Sequence, residues 1–400
     1  MKLITGLSLL TLSCTVLAQQ NTDSSFNPAS KRAIELTKKT ILVDTHIDVP
    51  YRLEHKWEDV SQAAGGDFDY PRAVQGGLNA PFMSIYIPAG LEKTGGSYEL
   101  ANKLIDYVEA IVGRAPDKFA IADSVQDVKD HFAAGKMSLP MGMENGSPIE
   151  GKLENLKHFY QRGVRYITLA HSQSNHISDS SYDLRRQWQG LSPFGKELIT
   201  AMNNIGMMID VSHISDDAFY QVMALSKTPV IASHSSLRKY TPGFERNMDD
   251  NMLLALKKNG GVIQINFGSS FVIASAGAWG DQFKAKRKEL AKQNGEESQM
   301  VKDFRKAYLA KNPYPFATIA QVLDHIDHVV KLIGIEHVGI GSDYDGVGDS
   351  LPIGLKDVAS YPNLVQGLLD RGYSEADITK ILSGNVLRVW QQVELYALTH

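Results

Sequence analysis

ILVDTHID, residues 41–48, is a short apolar run that ends in His46 and Asp48. Seven more runs of similar build follow it along the 400-residue chain. They are LNAPFMSIYIP (78–88), MSLPMGMEN (137–145), VRYITLAHS (164–172), GMMIDVSH (206–213), PVIASHS (229–235), GVIQINFG (261–268) and HVGIGSDYDG (337–346). Each is rich in Val, Ile, Leu or Met and mostly uninterrupted by charge. Continuous apolar runs of this length suit strands buried on both faces of a parallel sheet. Helical patterns separate most of them: LENLKHFYQRG (153–163), GKELITAMNNIG (195–206), MLLALKKNGG (252–261) and ATIAQVLDHIDHVVKLIG (317–334). Each places apolar residues at helical spacing and closes on a glycine. Eight strand-then-helix units predict a (β/α)₈ TIM barrel, with a doubly wound open sheet as the alternative.

One stretch exceeds the minimal barrel. Residues 269–316, before the last strand, contain the charged block FKAKRKELAKQNGEESQMVKDFRKAY (283–308). It reads as a helical insertion near the barrel mouth. A solvated surface helix is its plainest role, and a lid or an oligomer contact are the others.

Composition narrows the classes. Hydrophobic residues make up 43% and charged residues 22%, enough for a large packed core. A net charge of −4 without a dense Lys/Arg block gives no footprint for nucleic acid. Lys2 followed by the apolar stretch Leu3–Leu17 and by Val16-Leu17-Ala18 reads as a signal peptide, residues 1–18, cut after Ala18. The run is short for a hydrocarbon core of ~30 Å, so no transmembrane segment is expected in the mature chain. Residues 19–30 form a polar leader, and 31–400 a single barrel domain. The expected location is therefore periplasmic or secreted. Cys14 is the one cysteine, so the mature chain has neither disulfides nor thiolate ligands. Cys14 as a lipid-attachment site is the competing reading, which Thr11-Leu12-Ser13 fits poorly.

In a TIM barrel the active site lies at the C-terminal ends of the strands. Six of the eight runs end there in a titratable group: His46 with Asp48, Glu144, His171, His213, His234 and Asp343. Residues i and i+2 of a strand face one side, so His46 and Asp48 can reach one ion. The same tripeptide recurs as His325-Ile326-Asp327, but in a helical pattern where those positions diverge. His325, Asp327 and His328 therefore read as surface or packing residues. Glu144 follows the apolar PMGM, and a buried carboxylate needs a partner. A metal would supply it, and one carboxylate can bridge two ions. His213 and His234 add imidazole, a set that suits Zn²⁺, with Mn²⁺ or Co²⁺ able to substitute. A lone histidine in such a run is usually a satisfied core residue; the joint pattern argues for a metal site. His55, His131, His158, His176, His337 and His400 end no predicted strand and read as structural or exposed.

The segments VDTHIDVPYRL, GMENG, YITLAHSQSN, IDVSH, PVIASHSS, RNMDD, VGIGSDYDG and GNVLRV, in this order over residues 41–390, resemble the renal (membrane) dipeptidase family of metallopeptidases. The resemblance implies a (β/α)₈ barrel with two Zn²⁺ ions bridged by Glu144 and a water or hydroxide. His46, Asp48 and Glu144 would hold the first ion, and Glu144, His213 and His234 the second. It further implies that His171 contacts the scissile-bond region, that Arg246 holds the C-terminal carboxylate of a dipeptide substrate, and that Asp343 assists proton transfer, with Asp345 as its rival. Ile47 and Asn145 depart from residues common in the family's motifs, at positions that are not ligands. The family's mammalian members are disulfide-linked and lipid-anchored. Without a mature cysteine or an apolar tail, this chain is expected to be soluble and, if dimeric, a non-covalent homodimer. The expected activity is hydrolysis of dipeptides, L,D-pairs included. The alternatives are another binuclear amidohydrolase, acting on N-acyl amino acids, lactones or β-lactams, or a non-catalytic exported metal-binding protein.

Overall fold

The computed structural model of the chain describes residues 29–400. The signal-peptide expectation, Cys14 and nearly all of the polar leader lie outside the described residues.

Ten strands form: β1 (Val43–Ile47), β2 (Ala80–Tyr86), β3 (Phe119–Ile121), β4 (Met137–Leu139), β5 (Met141–Glu144), β6 (Val164–Thr168), β7 (Met208–Asp210), β8 (Ile231–Ser235), β9 (Val262–Ile265) and β10 (Val338–Ile340). Eight make one all-parallel sheet in the order β1-β2-β5-β6-β7-β8-β9-β10, with helices between successive strands. Each barrel strand therefore pairs with its neighbours in chain order, as expected of a TIM barrel. β3 and β4 form a separate parallel pair.

The sheet curls until β1 meets β10, and the seam is closed by specific bonds. The Asp48 amide donates to the Tyr344 carbonyl (2.9 Å) and the Asp343 amide to that of His46 (3.1 Å). Thr45 Oγ1 donates to the Ile340 carbonyl (3.1 Å). Asp44, wholly buried, accepts from the amides of His46 and Ser342 at 3.0 Å each and from the Tyr361 hydroxyl. Burial raises its carboxyl above the ordinary range, although hydrogen bonds from Ser342, Tyr361 and His46 oppose the rise.

The other end of the barrel is plugged. The last helix, Asn385–Ala397, buries Val386, Val389, Trp390 and Val393 against Val43, Ala80, Met208, Ile231 and Val262, which open their strands or stand beside the opening residue. Trp390 packs on Phe82 (ring centroids 5.4 Å), and Phe82 on Tyr166 (5.5 Å). Ligands are thereby confined to the opposite face.

Local chemistry fixes the helices where the pattern placed them. The helix Ile319–Ile333 opens with a capping box between Thr318 and Gln321. The helix Pro193–Ile205 stops at Gly206, which takes φ 87°. His325 lies inside the first of these, fully buried, accepting from the Leu237 amide and facing the Val272 carbonyl. It is a packing residue, as the helical periodicity required. No helix among the described residues is long and apolar enough to cross a membrane.

The structure corrects four details. Run 137–145 is two strands, broken at Pro140, which has no N–H to donate to a ladder. β3 has no counterpart among the eight runs. β6, β7 and β10 stop at Thr168, Asp210 and Ile340, so His171, His213 and Asp343 stand on the following loops and not at strand ends. β1 stops at Ile47, and Asp48 is the residue before the helix Val49–His55 with φ −89° and ψ 32°. It meets His46 through a turn, not through strand alternation. Residues 269–316 contain the helices Ser269–Val272, Ala274–Asn294 and Gln299–Lys311, and Ser270 and Phe271 line one cavity with His171, His213 and Asp343.

Removing the Asp44 carboxylate should open the seam. Asp44→Ala leaves three buried donors without an acceptor, at about 1–3 kcal/mol each. A loss of at least about 3 kcal/mol in urea unfolding is expected; a loss under about 1 kcal/mol would show that the seam does not depend on it.

Candidate metal centre

Glu144 ends β5 at the barrel mouth, 4% exposed. Its two oxygens face different groups. Oε2 lies 3.4 Å from His46 Nε2, which is also 3.4 Å from Asp48 Oδ2. Oε1 lies 3.0 Å from His213 Nε2, 3.2 Å from His234 Nε2 and 3.5 Å from His171 Nε2. His213 and His234 bring their Nε2 atoms within 2.8 Å of each other. Asp343 shares the corner of His46 and Asp48, with ligand-capable atoms of all three inside 4.8 Å. The residues singled out in the sequence thus converge, from six barrel strands or the loops that follow them.

Two of the imidazoles, His46 and His234, are aimed by a partner behind them. Tyr166 donates its hydroxyl hydrogen to the Thr45 carbonyl (2.9 Å) and lies 2.9 Å from His46 Nδ1. With that hydrogen committed, His46 Nδ1 is assigned as the donor, which aims Nε2 at the carboxylates. Gly142 makes room for this tyrosine, because a Cβ there would lie 1.9 Å from its ring. His234 Nδ1 meets Ser233 Oγ at 2.7 Å, and Ser233 donates to Asp210 at 2.6 Å. Asp210 also accepts from the amides of Ser212 and Ser233.

Backbone strain gathers here. Among the described residues six non-glycines have positive φ, and His213 (69°), Asp343 (64°), Asp345 (64°) and Asn145 (78°) are at or beside the site. Such residues cost about 1–3 kcal/mol each and cluster where side-chain direction is functional.

The electrostatics describe a hole for positive charge. Burial pulls His213 and His234 well below the ordinary histidine range, so both are neutral. Burial lowers His171 also, against the pull of Glu144. His46 goes the other way: burial would lower it, but Tyr166, Glu144 and Asp48 carry it well above. Burial would raise Glu144, yet the four histidines hold it well below its ordinary value. Asp343 is pushed up to about 8, by burial first and by Asp48 and Glu144, against His46 and the Asn266 amide that donates to it at 2.8 Å. A raised histidine beside a raised carboxyl records excess negative charge in one corner.

These observations fit bound cations. Among the described residues His46 Nε2 and Asp48 Oδ1, which face this cluster, are buried without a hydrogen-bond partner. Neutral imidazole nitrogen with carboxylate oxygen is a donor set for a borderline divalent ion.

The cavity over this cluster measures about 550 Å³ and is walled by Tyr51, Tyr86, Tyr182 and Phe271. Arg246 is 3% exposed beneath it. Its Nη1 donates to Ser235 Oγ (2.7 Å), its Nη2 to the His234 carbonyl (2.7 Å) and towards His213 Nε2 (3.0 Å). Its Nε is buried and unpartnered. Asp345 is committed elsewhere, accepting from the Asp67 amide (2.7 Å) and from Arg52 (3.3 Å). Sequence reasoning missed Tyr166, Ser233, Asp210 and Asn266. Asp210 carried a signal, being an acidic residue inside an otherwise apolar run.

A family model described as "Membrane dipeptidase (Peptidase family M19)" matches residues 30–400. The chain belongs to the membrane dipeptidase family. An uncharacterized dipeptidase of Schizosaccharomyces pombe is 30% identical over 371 residues, spanning 88% of this chain and 81% of the relative. The structure of a probable dipeptidase from Pseudomonas aeruginosa superposes with a TM-score of 0.80 at 28% identity, covering 92% of this chain and 98% of that one. A metallopeptidase from Rhodobacter sphaeroides, solved with a phosphinate mimic of the dipeptide L-Ala-D-Ala, shares the fold with a TM-score of 0.72 at 23% identity, covering 88% and 99%. Dipeptidase membership makes the chain a metal-dependent peptidase and fits the donor set just described.

Tyr166→Phe should keep the fold and free His46 Nδ1. Loss of such an orienting partner typically costs 10- to 100-fold in metal affinity, readable by chelator competition. Unchanged affinity would show that Tyr166 does not orient His46.

Proposed function

We propose that this chain is a two-zinc dipeptidase that hydrolyses dipeptides bearing a free C-terminal carboxylate, L,D-pairs included. The observation that carries the number of ions is the division of Glu144, one oxygen towards His46 and the other towards His213 and His234. His46, Asp48 and Glu144 would hold one zinc, and Glu144, His213 and His234 the other. When bound, zinc lowers the pKa of water from about 15.7 to about 7 and polarises a carbonyl oxygen.

The chain's own groups supply the rest. Asp343 accepts the proton of the attacking water and returns it to the leaving amine. Asn266 fixes one of its oxygens, and its place beside His46 and Asp48 favours it over Asp345. His171 lies on the cavity wall 3.5 Å from Glu144, where its imidazole N–H can donate to the oxyanion that develops from the scissile carbonyl. Arg246 takes the substrate carboxylate through its free Nε and its remaining N–H groups. The planar fork matters there, and a lysine could not reproduce it. Ser235 and the His234 carbonyl already hold that fork in place, so little ordering is left for substrate to bring about. The apolar leader Leu3–Leu17, ending Val16-Leu17-Ala18, supports a periplasmic or secreted location.

The test is a panel of dipeptides, L,D-pairs among them, against an N-acyl amino acid and a lactone, with metal measured on the same sample. Dipeptide hydrolysis at two zinc ions per chain, lost to a chelator and restored by zinc, is expected. Preference for the N-acyl amino acid or lactone would overturn the substrate assignment. Arg246→Ala should raise KM about 10- to 100-fold, the worth of a charged hydrogen-bond pair, with metal content unchanged. Asp343→Asn should lower kcat by about 10²–10⁴, while Asp345→Asn keeps the rate; the reverse pattern would exchange their roles.

A further inference from the structure

We infer that the insertion at 269–316 builds a second chamber that selects dipeptides with a bulky aromatic C-terminal residue; this rests on the dipeptidase reading above. Beyond the cavity over the metal centre lies another, of about 760 Å³. The two share Tyr182, Ser270, Phe271, Val347 and Ser350 as a common wall. A small dipeptide needs only the first. A cavity of the second's size, adjoining the first and lined by rings, is fit to receive a drug-sized apolar group.

Its walls are aromatic on both sides. Phe244 comes from the segment after β8 and Phe271 from the first short helix of the insertion, with ring centroids 5.8 Å apart. Trp279 and Tyr314 come from the insertion, edge to face at 5.0 Å and 85°. Trp279 is held rigidly: it stacks on Phe283 (5.4 Å, 5°), meets Tyr308 edge-on, and donates its indole N–H to the Asn312 carbonyl at 2.9 Å. The insertion thus carries a small aromatic core of its own and presents a fixed face to the chamber. Between the two walls the helix Ala274–Asn294 begins with small residues, Ala274, Ala276, Gly277 and Ala278, which leave the space open.

The chamber lies at the carboxylate end of the substrate. The Arg246 guanidinium packs on the Phe271 ring at 5.4 Å, and the Asn247 side-chain amide donates to the Phe271 carbonyl at 2.8 Å. Phe244, two residues before Arg246, also lines the chamber. With the carboxylate on Arg246, the side chain nearest this chamber is that of the C-terminal residue. Tyr51 and Tyr86 stand only in the inner cavity.

Gly277 provides the test. A Cβ built on it meets only the Ser270 carbonyl oxygen, at 3.9 Å, and its φ is not left-handed, so a side chain there has room to enter the chamber. Steady-state kinetics of the zinc-loaded full chain on Ala-Gly, Ala-Phe and Phe-Ala, with Gly277→Phe and the smaller Gly277→Leu, decide the matter. Wild type should show kcat/KM for Ala-Phe at least about tenfold above Ala-Gly, through KM, the discrimination an apolar pocket gives. Both variants should lower that ratio at least fivefold, and the Phe-Ala to Ala-Gly ratio should not follow. A wild-type ratio below tenfold, a ratio that neither variant lowers fivefold, or an equal fall for Phe-Ala would overturn the chamber's role. If wild type cleaves none of the three peptides, the dipeptidase reading falls, and this inference with it.

Discussion

Asp44 joins the first and last barrel strands through a carboxylate that water does not reach. Around it, the amides of His46 and Ser342 and the hydroxyl of Tyr361 supply the hydrogen bonds that β1 and β10 do not make as a regular ladder. Beyond the strand ends the same seam continues, the Asp343 amide bonding to His46 and the Asp48 amide to Tyr344. The bonds that close the barrel therefore also set the spacing of three site residues. A shift of one strand past the other would move His46 and Asp48 away from Asp343 together. This couples site geometry to global stability and explains why so polar a set can be held in a buried place.

A second line of force runs up the barrel axis. Trp390 of the plugging helix supports Phe82, Phe82 supports Tyr166, and the Tyr166 hydroxyl meets His46. The glycine at 142 exists to let that ring through. On the far side of Glu144, Asp210 and Ser233 do the same for His234 with hydrogen bonds instead of rings. Both devices fix the tautomer and the direction of an imidazole. Glu144 is left with few choices. Its oxygens face imidazoles on both sides, and the neutral ones, His213 and His234, cannot balance its charge without a cation.

The architecture and the ligand-capable residues were legible in the sequence because both follow from simple patterns. Parallel strands buried on two faces read as apolar runs, and a titratable residue closing such a run stands out. His46, Glu144 and His234 were found that way and lie in strands. His171, His213 and Asp343 were found by the same rule for a partly wrong reason, since they ride on loops beyond the strands. Run boundaries blur there because loops that pack over a barrel mouth are themselves apolar. The supports were not legible. Tyr166 looks like an ordinary core aromatic, and Ser233 like a small strand residue; only three-dimensional adjacency shows that they aim histidines. Pro140 hid for a different reason: the residues on both sides of it are strands, so the interruption left the apolar run intact.

The loop GSDYDG shows how far backbone conformation, not residue type, assigns roles. Asp343 and Asp345 are two apart, both carboxylates, both raised chiefly by burial, to about 8 and about 7. In an extended segment they would face one side and compete for the same place. Both instead take left-handed φ. The turn sends Asp343 to Asn266 and the corner of Asp48. It sends Tyr344 down against Tyr361 and Phe267, where its ring is wholly buried. Asp345 goes outward to tie down Asp67 and Arg52. Gly346 then passes so near that a Cβ would lie 2.2 Å from Asp343 and 2.3 Å from Asp48. The strain at the two aspartates, about 1–3 kcal/mol each, therefore accompanies the separation of a carboxylate facing His46 and Asp48 from one bound to Asp67 and Arg52, within three residues. It also makes the order of the motif, with glycine after the second aspartate, a geometric requirement.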